Sequence, residues 1–204
     1  MTRADRARIP ETAMATILAP PTPEQLVADL VLLLDLEAKG GDRFIGRRRE
    51  DGTGRVFGGQ AIAQALGAAR RTVDAERVVH SLHAYFLRPG TDELPIEYRV
   101  KRDLDGRSFS NRRVVASQNG EPILNLTASF QRPVNGPGHQ HRAMPDVPPP
   151  EALIPDAQRA REFAQSLPEG PTRRFLMRPH PVDMRSVEPR GWLHGGKREP
   201  VSQV

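Results

Sequence analysis

Three groups of side chains in this sequence have the means to do chemistry. His80 and His83 stand in "RVVHSLHAYFLRPG", where an imidazole can act as general acid or base near neutral pH. Gln60 and Gln64 stand four apart in "RVFGGQAIAQALGAARR". A glutamine amide holds a water or donates to an oxyanion, but it does not accept a proton at neutral pH. His80 and Gln60 are the candidates for catalysis. Gly58 and Gly59 precede Gln60. The N–H groups of a helix start favour a carbonyl oxygen or a phosphate, although two glycines also suit a tight entry turn with no ligand. Arg107, Ser108, Arg112 and Arg113 cluster after "DLDG". Guanidinium forks with a hydroxyl are what a phosphate group asks for, and solvated arginines give the same pattern. Gly58, Gly59, Gln60, Ser108 and Arg112 are thus the binding candidates. His139 and His141 have a possible metal spacing, but no carboxylate cluster accompanies them, so no metal site is expected. "DGTGRVFGG" lacks the Gly-Lys-Ser/Thr ending of a phosphate loop and reads as a turn.

Composition narrows the function classes. The chain has 204 residues and no cysteine, which excludes disulfides, zinc–thiolate sites and a cysteine nucleophile. It fits a cytoplasmic protein. The net charge is +5, but residues 171–204 hold seven Lys/Arg against three Asp/Glu and supply most of it. The body is near balance, and no basic helix is interleaved with aromatics, so nucleic acid is not the expected partner. The longest apolar run, "LVLLLDL", is too short to span a membrane.

The elements that must position these groups emerge from periodicity. "PTPEQLVADLVLLLDLEAKGG" reads as one amphipathic helix, with Thr22 as cap, Pro23 at the first position, Gln25 completing a capping box and Gly40-Gly41 at its end. "DRFIGRRR" is a strand. "RVVHSLHAYFLRPG" alternates as a strand, with Val78, His80, Leu82, Ala84 and Phe86 on one face, toward the helix, and His83 on the other. His80 is then either a core histidine or an acid–base group. "LPIEYRVKR", "RSFSNRRVVASQ" and "EPILNLTASFQR" alternate too. Asn119-Gly120 joins the last two as a hairpin, and a two-residue turn sets Val115 opposite Leu124 and Phe109 opposite Phe130. The segment from Gly58 to Ala69 carries no charge on any face, so it is a buried helix. An antiparallel sheet wrapped around it is the economical way to bury it. The fold class is therefore α+β, a hotdog fold in single copy.

"RVFGGQAIAQALGAARRTV", "VVHSLHAYFLRPG" and "DLDGRSFSNRRVVASQNGEPILNLTASFQRP" with the "GHQH" after it resemble the acyl-CoA thioesterase II family over about residues 22–142. The resemblance implies a double hotdog that hydrolyses fatty acyl-CoA to free acid and CoA without metal, cofactor or covalent intermediate. It also implies a catalytic Asp, hydroxyl residue and Gln carried by a second hotdog, positions for which this sequence has no counterpart. "RPHPVDMRSVEP" and "KREP" resemble the connection into that second domain. The expected organisation is a flexible extension at 1–21, a hotdog at 22–132, a linker at 133–150 with six prolines, and a short helix with an incomplete connection at 151–204. The expected partners are acyl-CoA and another hotdog, as a homo-oligomer or in a mixed pair. Two rivals stand beside the thioesterase. One is a catalytically silent half that binds acyl-CoA or pairs with another hotdog. The other is a dehydratase of 3-hydroxyacyl thioesters, which needs an acid opposite His80 that the uncharged helix does not offer.

Overall fold

Thr22 starts the first helix as its chemistry dictates. Its hydroxyl accepts from the Gln25 N–H at 3.3 Å, and the Gln25 side chain accepts from the Thr22 N–H at 2.8 Å. The structure, a computed structural model, describes residues 20–49 and 54–188; nearly all of the expected N-terminal extension and the last sixteen residues lie outside it. Helix α1 spans Pro23–Leu34 and is shorter than its periodicity suggests. Beyond Asp35 the chain extends as β1 (Leu36–Gly40) and turns back as β2 (Arg43–Gly46). The turn needs positive φ at Gly40, Gly41 and Asp42 in succession, which two glycines and an aspartate tolerate.

The uncharged segment is α2 (Gly58–Arg70). Four long strands come next: β3 (Val78–Phe86), β4 (Ile96–Asp105), β5 (Phe109–Gln118) and β6 (Glu121–Gln131). All neighbours are antiparallel, in the order β1-β2-β4-β5-β6-β3, so β3 is an edge. Alternation puts Val114 and Ala116 of β5, and Leu124, Leu126, Ala128 and Phe130 of β6, on the face that carries α2, all buried. Ala65, Ala68 and Ala69 of the helix are fully buried against that face; alanine there lets the helix backbone approach the sheet closely. The sheet covers one side of α2. Ile62 and Leu66 on the other side are half-buried, so the helix is less fully wrapped than its lack of charge suggests.

Gln64 and Tyr98 moor α2 to its surroundings. The Gln64 amide donates to Leu33 O and Arg47 O and accepts from the Tyr98 hydroxyl at 2.8 Å. Burial pushes the Tyr98 phenol far above its usual range, so it stays protonated as a donor.

Two bulges change what the strands present. The hairpin turn is as its Asn-Gly demands, with φ of 50° and 80° at Asn119 and Gly120. The register then slips by one between Ala116 and Ser117, so Val115 faces Asn125 and Phe109 faces Gln131, not Leu124 and Phe130. The extra residue is Ile123. In β3 the register slips between Val79 and Ser81. Leu82, Ala84 and Phe86 still pair with helix-side residues of β6, but His80 is displaced to the opposite face.

Residues 133–149 carry no helix or strand. After them come a short turn at Pro150–Ala152, α3 (Asp156–Gln165) and α4 (Pro171–Leu176); Asp156 at the start of α3 accepts from the Ser186 hydroxyl and N–H at 2.6 and 3.0 Å.

Candidate functional site

A cavity of about 480 Å³ opens at the N-terminal end of α2. Val56, Ala61, Phe86, Ile123 and Leu124 supply its apolar wall, Gly58 its helix edge, and Arg55 and Arg88 its charged part. The β6 bulge helps to shape it. As the extra residue, Ile123 takes the helix-side face together with Leu124, and both are buried. The Ile123 carbonyl accepts from the N–H groups of both Leu87 and Arg88, which ties the end of β3 to the cavity rim.

The loop after β3 is held from three directions. Val56 N–H donates to Gly90 O at 3.0 Å, and Gly54 N–H donates to the buried Asp92 carboxylate at 2.7 Å. Buried Gln118 accepts from Thr91 N–H and donates to Thr91 O and Leu94 O. The rim is thus a hydrogen-bonded frame. At the helix head, Gln60 and Ala61 donate their N–H groups to Phe57 O, so Gly58 and Gly59 stand first in line toward a ligand.

The candidate residues do not converge. Gly58 lines the cavity, and Gly59 is exposed beside Phe57. Gln60 is buried, its amide donating to Arg47 O at 3.1 Å. His80 points away from α2. Its Nε2 pairs with Ser129 Oγ at 2.8 Å, and its ring meets Phe109 edge-on at 5.7 Å, on the outer face of the sheet. An acid–base group for chemistry at α2 therefore does not come from His80 in this arrangement. His83 packs on Tyr85, also away from the helix.

Ser108 and Arg112 lie at the other end of α2, which is thirteen residues long, about 20 Å at 1.5 Å per residue. Ser108 is exposed in the β4–β5 turn. Arg112 is buried and engaged. It donates to Thr72 Oγ1, Thr72 O, Leu104 O, Asn111 O and Asp105 Oδ1 at 2.6–2.9 Å. Its hydrogen bond holds the Asp105 carboxyl below the usual range, with help from Ser110. All five guanidinium protons are committed, so this side chain serves the fold rather than a phosphate. The clue is in the sequence: Arg112 shares its alternation with Val114 and Ala116 on the inner face. Sequence reasoning misses Arg55, Phe86, Arg88 and Ile123 as site residues. "FLRPG" holds two of them, but their convergence depends on the bulge.

His139 and His141 lie on the segment without regular structure, and among the described residues no three His, Cys, Asp or Glu side chains gather to hold a metal. Among the same residues, no helix is long and apolar enough to cross a membrane.

A long helix laid on an antiparallel sheet, with a cavity at the helix head, is a hotdog fold. Residues 47–131 match the family model for the acyl-CoA thioesterase N-terminal domain. Acyl-CoA thioesterase 2 of Haemophilus influenzae is 39% identical over 161 residues, 79% of this chain and 56% of that protein. Acyl-coenzyme A thioesterase 8 of Homo sapiens is 46% identical over 122 residues, 60% of this chain and 38% of that protein. Among solved structures, acyl-CoA thioesterase II TesB2 of Mycobacterium marinum superposes with a TM-score of 0.54 at 44% identity, covering 60% of this chain and 45% of that one. The tesB protein of Mycobacterium avium subsp. paratuberculosis gives 0.56 at 39% identity, over 62% and 49%. The hotdog of this chain thus matches the acyl-CoA thioesterase N-terminal domain and is similar to acyl-CoA thioesterase II proteins. The chain spans about half the length, or less, of the relatives it matches.

Proposed function

We propose that this chain serves the hydrolysis of fatty acyl-CoA to free acid and CoA, and that its part is to bind the acyl-CoA in the cavity at the head of α2. The cavity is the observation that carries this. Its apolar wall suits an acyl chain, the N–H groups of Gly58 and Gly59 suit a carbonyl oxygen, and Arg55 and Arg88 suit phosphates. The similarity to acyl-CoA thioesterases supports the same substrate class. A cytoplasmic location fits a chain without cysteine.

Hydrolysis has water attack the thioester carbonyl carbon, charge develop on the carbonyl oxygen, and the C–S bond break to release CoA thiolate. A base must take the proton of the water. Among the described residues, no Asp, Glu or His lines this cavity. We infer that a second hotdog brings the base and docks on β3. That strand is a nine-residue edge without a charged side chain, and Leu82 and Tyr85 are 42% and 62% exposed along it. Edges of soluble proteins are normally guarded by charge, proline or a cover.

That described lining favours a second reading, in which the chain binds acyl-CoA but does not turn it over alone. Both are tested by CoA release from palmitoyl-CoA, read with a thiol reagent and free of background because the chain has no cysteine. Light scattering on the same sample gives the oligomeric state. The expected result is a dimer or larger species that binds palmitoyl-CoA yet releases CoA at close to the uncatalysed rate. Rapid release that disappears in His80→Ala or Gln60→Ala would put the chemistry in this hotdog and contradict the division of labour.

A further inference from the structure

Resting on the acyl-CoA reading of the cavity, we infer that Phe86 sets how long an acyl chain the site accepts. Phe86 ends β3, and among the described residues β3 has no strand on its outer side. Its register partner is Leu124, which is fully buried and also lines the cavity. Ala61 and Ile123 are likewise buried, at 3% and 7% exposure, so that part of the wall is fixed by the core. Phe86 differs: it lines the cavity but is 59% exposed, so it is the part of the wall that the core does not fix.

What locates the ring is the bare backbone of Gly58. A Cβ built there would lie 2.8, 3.1 and 3.6 Å from Cζ, Cε1 and Cε2 of Phe86, and those are its three nearest atoms. The glycine is not needed for a positive φ; without a Cβ it lets the ring lie against the helix head, and a Cβ there would push the ring aside. Helix head and ring therefore form one aperture made by two residues, and a change at either one acts through the other.

In an apolar site each added methylene strengthens binding by roughly fourfold until the chain meets a wall. Dissociation constants of acyl-CoAs from octanoyl to stearoyl, measured calorimetrically below their micellar concentrations, locate that limit. Phe86→Ala moves it at least two carbons longer, and Phe86→Trp at least two carbons shorter. Phe86→Leu, which keeps an apolar edge, takes the place of the alanine variant if that fails to fold. Gly58→Ala moves the limit while Phe86 is present and leaves it unmoved in the Phe86→Ala background, the non-additivity of two groups in contact. A limit that is the same in all Phe86 variants, or a weakening equal at every chain length, would overturn the assignment while leaving the acyl-CoA site intact. If the wild-type chain binds no acyl-CoA of any length, the site and its determinant fall together.

Discussion

Replacing Arg112 by Ala lowers the stability of the fold by about 3–5 kcal/mol, the cost of breaking a buried charge network by removing one member. The side chain is 1% exposed on the inner face of β5, and each of its five N–H groups has an acceptor. Two of those acceptors belong to Thr72, just past the end of α2, where backbone carbonyls gather and a cation is favoured. Two are carbonyls of Leu104 and Asn111, on either side of the β4–β5 turn. The last is Asp105, which is half-exposed and keeps access to water. Alanine takes the donor from both Thr72 oxygens in a buried site and from the part-buried Leu104 and Asn111 carbonyls, so the loss exceeds that of the ion pair alone. Lysine restores the charge but only three donors, with no planar fork, and recovers less than half of the stability. Thermal unfolding is the measurement, with a melting temperature about 10 °C or more below wild type for the alanine variant. A drop of only one or two degrees would mean that water replaces the guanidinium.

The second large effect comes from adding one methyl group. Gly46 ends β2, and a Cβ there would lie 2.5 Å from Gln64 Oε1 and 2.7 Å from Tyr98 Cε2. Neither neighbour gives way freely. Gln64 is fully buried and bonded to Leu33 O, Arg47 O and the Tyr98 hydroxyl, and Tyr98 is itself fully buried. Gly46→Ala thus costs overpacking, about 1–3 kcal/mol, and breaks bonds of buried polar groups worth a similar amount. Urea unfolding should show a lower midpoint at an unchanged slope, with a net loss of about 2–5 kcal/mol. A midpoint within error of wild type would show that β2 can move away from α2.

Both sites illustrate which part of the structure is legible in the sequence. Period-two alternation marks β3 to β6, and Asn119-Gly120 fixes the hairpin, because pleat and turn chemistry are local. The absence of charge from Gly58 to Ala69 identifies the helix that the sheet must cover. The capping box at Thr22 gives the start of α1, but not its end. "LLLDLEAKG" is apolar at both helical and strand spacing, and pairing with β2 decides for the strand from Leu36. Bulges are the chief thing the pattern hides. One extra residue leaves the alternation intact to the eye yet shifts the neighbouring side chains to the other face. That is how His80 leaves the helix side and how Ile123 joins Leu124 at the cavity. Arg112 misleads for a different reason: a guanidinium near hydroxyls suggests an anion, whereas its place between Ser110 and Val114 on the inner face marks it as a buried tie.

Everything proposed for this chain depends on acyl-CoA binding at the head of α2. The direct measurement is the change in backbone amide resonances of the isotopically labelled chain on titration with palmitoyl-CoA. The changes should cluster at Val56, Gly58, Gly59, Leu87, Gly90 and Ile123, around the head of α2, and leave Ser81, His83 and Thr127 on the outer sheet face unmoved. Changes confined to that outer face or to the Arg112 end of the helix, or no saturable change at all, would contradict it.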